Sequence, residues 1–414
     1  MMKERQLSHT VEHLFRNEYG KVVALLVHRF GASHLETIED VVQDTFIKAM
    51  RVWGYQNIPE NPTAWLLKVG KNGMIDQLRK NRKNQNYSEA VLSESENIGA
   101  EPTTAAEITD SQLKMIFACS DPALSQEYQI ILSLKLIGGF SNKELAEALL
   151  KKEEAVAKAF TRAKKRFKQE VQLLKVPVEM GLQSRLFIVL RVIYLLFSEG
   201  YATTSGSQIL KKDICYEAMR LALLLRENKY CQHPNLEALI ALMCFHASRF
   251  DARMDTNGNL VDLEHHDRSK YNPELIKIGI YHLKNAGTTN QQPSNYHLEA
   301  AVSYYHCTAK TFNETNWKAI LECYDLQLRN QFSPMVALNR IIPLAKVNGA
   351  RQALFELESL QQASNFDTTT LFFAIKAELQ RELKEGDFEK TLEKAIQLCQ
   401  NKLVKAHLER KLMQ

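Results

Sequence analysis

The residues best placed to do chemistry in this chain are lysines and arginines gathered on two segments. Residues 61–84 read NPTAWLLKVGKNGMIDQLRKNRKN, with one tryptophan, Trp65, and six Lys/Arg from Lys68 to Lys83 against a single acid, Asp76. Residues 153–170, EEAVAKAFTRAKKRFKQE, carry Lys158, Arg162, Lys164, Lys165, Arg166 and Lys168. Ammonium and guanidinium groups neutralise phosphates and release their counterions. An aromatic beside such a patch can stack on unpaired bases. One basic helix face alone is ordinarily solvated surface. Two of them, one opened by a tryptophan, suit melted or distorted nucleic acid at one patch and duplex at the other. A third set is acid-rich: Glu39, Asp40, Gln43 and Asp44 lie opposite Ile38, Val41, Val42, Phe46 and Met50, which recur at helical spacing as a core face.

The elements that must position these groups are helices. Two prolines make 57–62 a loop, and the helix bearing Trp65 follows it. Residues 8–83 and 111–173 read as helical. Ser141 and Glu144 form a capping box ahead of Leu145 and Ala146. A short turn at 150–152 then separates two helices, the spacing of a helix-turn-helix, whose second helix enters the major groove. Residues 84–110 contain no Lys or Arg but hold Glu89, Glu94, Glu96, Glu101, Glu107 and Asp110, a polar acidic tether. From about 180 onward helix follows helix, broken by a turn at 255–259 and a polar loop at 287–294. LAKVNGARQALFEL and LQRELKEGDFEKTL share a helix–Gly–helix layout, with Gly349 and Gly386 37 residues apart, near the tetratricopeptide period of about 34. The expected fold class is all-α: a first module over 1–83, a linker over 84–110, a helix-turn-helix module over 111–174 and a helical extension over 175–414.

The 414 residues suffice for two or three domains, and 45% hydrophobic with 24% charged residues is ordinary for a globular chain. Ten Pro and 16 Gly leave room for long helices. The net charge of +5 is mild, so the placement of charge matters more than its sum. Seven scattered cysteines without a CxxC pair argue against a disulfide framework or zinc knuckle and fit a reducing cytosol. No signal-peptide apolar region opens the sequence. The most apolar run, 186–197, is interrupted by Arg191 and is far shorter than the roughly 20 residues of a membrane span. His265 and His266 stand beside Asp262, Glu264 and Asp267, but adjacent histidines diverge on a helix and no H-x-x-x-H accompanies them. Neither a phosphate-cradling glycine loop nor a nucleophile constellation is present. No metal, cofactor or enzymatic activity is expected.

At this point the residues resemble a known family. EDVVQDTFIKAMRVW (39–53), NPTAWLLKVGKNGMIDQLRKNRK (61–83) and LSQEYQIILSLKLIGGFSNKELAEALLKKEEAVAKAFTRAKKRFK (124–168) together look like an extracytoplasmic-function sigma factor of bacterial RNA polymerase. RLFIVLRVIYLLFSEGYATTSG (185–206), LEHHDRSKYNPELI (263–276) and SPMVALNRIIPLAKVNG (333–349) resemble the helical extension of one subfamily, which carries a tetratricopeptide-like C-terminal part. The resemblance implies a protein that binds core RNA polymerase and promoter DNA in the cytoplasm. Glu39, Asp40, Gln43 and Asp44 would meet the clamp helices of the largest subunit, and the helix-turn-helix module would lie by the flap of the second-largest. Trp65, Lys68, Lys71, Asn72, Asp76, Arg79 and Lys80 would engage the −10 region as it opens, with 57–62 where the family captures a flipped base. Lys152, Lys158, Arg162 and Lys165 would hold the −35 element. The extension would take a protein or peptide partner and set activity.

The sequence departs from the family pattern in the helix-turn-helix. Leu150 stands where a glycine is common in the turn, Ala155 where a threonine is common, and Ala159 where an arginine is usual. Alanine cannot donate to a base edge or phosphate, which weakens the expected reading of −35 sequence more than binding itself. Two other readings remain: a one-component helix-turn-helix regulator sensing a ligand or peptide through its helical half, and a helical-repeat scaffold.

Overall fold

The computed structural model describes residues 18–55, 58–83, 104–149, 151–171, 174, 180–201, 210, 212–288, 292–363 and 366–413. Among them the regular structure is helical, with an isolated bridge between Met254 and Leu260 and no strand. The fold is all-α. Helix α1 is described over 18–30, and Val22, Val23, Leu25, Leu26 and Val27 are each at most 1% exposed. A helix apolar on every side must sit inside. Gly31, at φ 90°, turns the chain into α2 (Leu35–Tyr55); a side chain would be strained there. The buried positions of α2, Leu35, Ile38, Val42, Phe46, Ala49 and Trp53, recur at three and four. Met50, expected in the core, is 47% exposed because it stands about 100° around the helix from Ala49.

Helix α3 (Pro62–Lys83) starts with proline at its first position, and the Asn61 side chain accepts from the Ala64 N–H at 3.0 Å, a capped N-terminus. Helix α4 (Ala105–Cys119) is capped by Thr104, whose hydroxyl accepts from Glu107 N–H. The last residues of the expected tether, 105–110, are therefore helical; 84–103 lie outside the described residues, as do 1–17. Helix α5 (Gln126–Leu136) is capped by Ser125, and α6 (Asn142–Ala148) and α7 (Glu153–Glu170) follow. The expected capping box forms: Glu144 N–H donates to Ser141 Oγ at 3.2 Å, and Ser141 N–H to Glu144 Oε2 at 2.9 Å.

The chain divides into two compact units. The first takes Met1–Phe197 and Tyr216–Cys231, the second Ser198–Cys215 and Gln232–Gln414. The first unit thus includes most of α8 (Met180–Tyr201) and of α9 (Lys212–Glu227). Arg185 of α8 pairs with Asp121 at 2.7 Å, and Arg220 of α9 donates to Gln112 Oε1 at 3.3 Å. The division does not fall at the expected 174/175 boundary, because apolar α8 packs among the earlier helices: Leu196 stands 3.2 Å from where a side chain on Gly138 would begin.

In the second unit α10 (Pro234–Ser248) is buried on nearly every side, and a side chain on Gly279 of α11 (Pro273–Ala286) would meet Phe245 at 2.7 Å. Then come α12 (Asn295–Thr308), α13 (Trp317–Asn330), α14 (Pro334–Asn348), α15 (Ala350–Ala363), α16 (Thr370–Leu383), α17 (Phe388–Leu398) and α18 (Lys402–Leu412), each against its neighbour in sequence. Leu338, Ile341, Ala353, Leu357, Phe372 and Ala395 centre their core. Gly349 (φ 91°) and Gly386 (φ 72°), noted for their spacing, both adopt the left-handed backbone between consecutive helices.

Candidate nucleic-acid interface

The α3 residues form one outward stripe. Lys68, Asn72, Asp76, Arg79 and Lys80 are exposed at spacings of four, four, three and one, which keeps them on a single face of a helix. Lys71 lies off that face and is 7% exposed. Trp65 is half-buried, tilted against the buried Trp53 with ring centroids 5.3 Å apart. Its position on the helix is thereby fixed while part of the ring reaches the surface. The side chains of 81–83, and residues 56–57 at the start of the preceding loop, lie outside the described residues.

Helix α7 divides its lysines and arginines between two faces. Lys158, Arg162 and Lys165 are exposed at spacings of four and three, in line with exposed Ala155, and Lys152 is exposed just before the helix begins. The opposite stripe, Val156, Ala159, Phe160, Ala163 and Phe167, is buried. Ala159 is thus a packing residue here, and the Leu150 side chain is outside the described set. Between the two faces run Lys164 and Lys168. Lys164 Nζ reaches Glu39 Oε2 at 2.7 Å and lies 4.7 Å from the centre of the Phe160 ring; Lys168 Nζ reaches Glu36 Oε2 at 2.7 Å.

Those contacts redraw the acid-rich face of α2. Glu39, grouped in sequence with Asp40, Gln43 and Asp44, is 8% exposed. Burial raises its carboxyl above the usual range, opposed by the Lys164 hydrogen bond. Glu36 is exposed, and the Lys168 hydrogen bond lowers its carboxyl. Asp40, Gln43 and Asp44 remain exposed, joined by Ile47 (41%) and Met50 (47%) at helical spacing. The outer face of α2 thus carries two acids, an amide and two apolar side chains. Sequence patterning assigned Met50 inward and passed over Ile47. The available signal was that neither fits the 38-42-46-49-53 stripe.

A second seam joins α1 to α4. Arg29 binds Glu107 through Nε and Nη2, each at 2.7 Å, the bidentate geometry that makes guanidinium–carboxylate pairs strong. The Arg29 hydrogen bond holds the Glu107 carboxyl below its usual range. His28 Nδ1 meets Ser111 Oγ at 2.9 Å, and burial, then Lys114, lowers its imidazole. Elsewhere, Asp262 is engaged by His407 and Lys411, each at 2.8 Å, and His266 Nδ1 by Tyr271 Oη at 3.1 Å. Among the described residues no helix is long and apolar enough to cross a membrane.

Residues 14–84 match the family described as sigma-70 region 2, and residues 185–287 match a family of unknown function, DUF6596. The chain is 33% identical over 331 residues to the uncharacterized protein R00370 of Rhizobium meliloti (strain 1021), covering 79% of this chain and 78% of that one. It is 24% identical over 156 residues to the RNA polymerase sigma factor YlaC of Bacillus subtilis (strain 168), covering 36% of this chain and 82% of that one. No solved structure matches the chain significantly. With α1 to α3 inside the matched region, the chain carries a sigma-70 region 2 domain and belongs to the same family as R00370.

Proposed function

We propose that this chain is a sigma factor of the extracytoplasmic-function type, which recruits core RNA polymerase to a promoter and helps open it. The polymerase performs the bond-making chemistry; this chain supplies recognition. Asp40, Gln43 and Asp44, with Ile47 and Met50, dock on the clamp helices of the largest subunit, where charge complementarity sets encounter rate and register. The α3 stripe engages the −10 region as it melts. Trp65 borders that stripe, where stacking offsets the few kcal/mol that extruding a base requires. Lys152, Lys158, Arg162 and Lys165 hold −35 phosphates beside the flap of the second-largest subunit. With Ala155 and Ala159 in α7, duplex contact rests on backbone charge more than on base-edge hydrogen bonds. The second unit sets activity through a partner or by docking.

The observation that supports this reading is the outward Lys158–Arg162–Lys165 stripe on α7, which follows α6 across a short turn, in the same compact unit as the outward α3 stripe. A one-component operator-binding repressor needs only the first. The test is run-off transcription with purified core polymerase on a library of genomic fragments. Discrete start sites that depend on the chain are expected. Their absence, together with failure of core polymerase to co-purify, would sink the proposal. Asp40→Lys with Asp44→Lys should abolish co-purification while the protein stays folded, since exposed charges contribute little stability.

A further inference from the structure

The second unit contains a group of arginines that form no ion pair with a carboxylate among the described residues. Arg249, at the end of α10, is 5% exposed, and its Nη2 meets His246 Nδ1 at 2.8 Å. The polar groups that act on Arg249 are the phenols of Tyr201, Tyr271 and Tyr324 and the Cys307 thiol. Those acting on Arg253 are Tyr201, Arg249 and Cys215. None is a carboxylate. Arg253 lies 4.0 Å above the Tyr201 ring and donates to the Tyr201 carbonyl. Arg268 donates through Nη1 to the carbonyls of His306 and Ala309 at 2.6 and 2.7 Å. Guanidinium groups stay protonated, so three positive charges share this site. A buried charge is ordinarily paired, because desolvating it alone is costly.

Three polar atoms of this group, Arg249 Nε, Arg268 Nη2 and His306 Nδ1, are buried and have no hydrogen-bond partner among the described residues. Arg249 and Arg268 both act on His306, which ties the three together. Burial, then these two arginines, pushes the His306 imidazole down to about 3. His306 also borders a cleft of about 940 Å³ lined by Phe312, Trp317, Tyr324 and Ile341, a volume within the range of small-molecule sites. The His306 and Trp317 rings are 5.4 Å apart, and Phe312 lies 5.0 Å beyond Trp317. On the cleft wall Lys411 contacts Asp262 and Glu378, and His407 contacts Asp262.

We propose that this cluster is the head-group site for a small organic anion, a carboxylate or phosphate on an apolar body. The oxyanion accepts from Arg249 Nε, Arg268 Nη2 and the His306 ring; the body lies along Trp317 and Phe312. This assignment concerns binding by the second unit and does not rest on the transcription reading.

The test is thermal unfolding of the full-length protein with inorganic phosphate, phenyl phosphate or benzoate, against sodium chloride at matched ionic strength. A saturable rise in Tm is expected, at lower concentration for phenyl phosphate than for inorganic phosphate. A stronger response to phenyl phosphate than to benzoate assigns the head group as phosphate, the reverse order as carboxylate. Losing one charged hydrogen bond should weaken binding roughly tenfold to a hundredfold in Arg268→Gln. Histidine-labelled NMR of the unaltered protein gives a reading that needs no folded variant: the His306 signal, assigned through His306→Gln, should shift as the small anion is added. No saturable response beyond chloride, an undiminished response in Arg268→Gln, or a response confined to an oligoglutamate peptide would each overturn the proposal.

Discussion

Lys164 of α7 and Glu39 of α2 meet at 2.7 Å, with side chains 16% and 11% exposed, across 125 residues of sequence. Helices α7 and α2 are thereby joined by a half-buried ion pair. Removing one partner of such a pair leaves the other charge uncompensated. Glu39→Lys should therefore destabilise the first unit, and Glu39→Lys with Lys164→Glu should recover much of the loss. The expected coupling is about 1–2 kcal/mol. Urea unfolding of the four proteins measures it, and additive effects would show that the pair contributes nothing.

The two faces of α7 should separate in salt dependence. Lys158→Ala with Arg162→Ala should flatten the plot of log affinity against log salt for −35 duplex by about two units, close to one per phosphate contact. Lys164→Ala with Lys168→Ala should leave that slope unchanged. A slope equally affected by both pairs would show that the division between faces does not govern DNA contact.

The α3 stripe should matter for opening and not for folding. Asn72→Ala and Arg79→Ala remove exposed groups, so stability should stay within about 0.5 kcal/mol. Permanganate reactivity of −10 thymines should fall. Trp65→Ala adds the loss of the Trp53 contact and requires a melting curve first. Normal thymine reactivity in folded Asn72→Ala/Arg79→Ala would remove the stripe from the −10 assignment.

Truncation should distinguish two boundaries. A chain ending at Leu174 lacks α8 and α9 and exposes the apolar surface they cover, so it should aggregate or melt without cooperativity. A chain ending at Cys231 keeps every segment of the first unit and should melt cooperatively. Equal behaviour of the two in calorimetry would contradict the division into units. The longer truncation is also the correct reagent for asking whether the second unit restrains or assists transcription.

Acid should weaken the second unit before carboxylate titration begins. The folded His306 binds a proton only near pH 3, whereas an unfolded histidine does so near 6.5. Below about 6.5 the unfolded state holds the extra proton, so stability falls as pH falls. The loss is about 1.4 kcal/mol per pH unit for one buried imidazole. His306→Gln should reduce this slope between pH 6.5 and 4.5, and an unchanged slope would exonerate the residue.

How much of this was legible in the sequence depends on the range over which each position is decided. The Ser141–Glu144 cap and the helix start after the prolines are decided locally, and capping and breaker signals found them, whereas Asn72 and Asp76 came from the family resemblance. Glu39 and Asp40 are neighbours of identical sign, separated by about 100° around the helix; only Lys164, far along the chain, makes one buried and the other exposed. The basic count of α7 was visible, its division was not. Arg249 and Arg253 were passed over in the sequence. The hint was their position after the uninterrupted apolar run of α10, with His246 three residues before.

The order of segments along the chain also bears on how the molecule is made. The first unit is not continuous: Ser198–Cys215 belongs to the second, and Tyr216–Cys231 returns to the first. During synthesis from the N-terminus, where domains generally fold as they emerge, the first unit cannot close until α9 has left the ribosome. Until then the apolar face of α8 has no complete partner. A translational pause just after residue 231 would favour correct closure, and one between 197 and 216 would leave the nascent chain most open to chaperone capture.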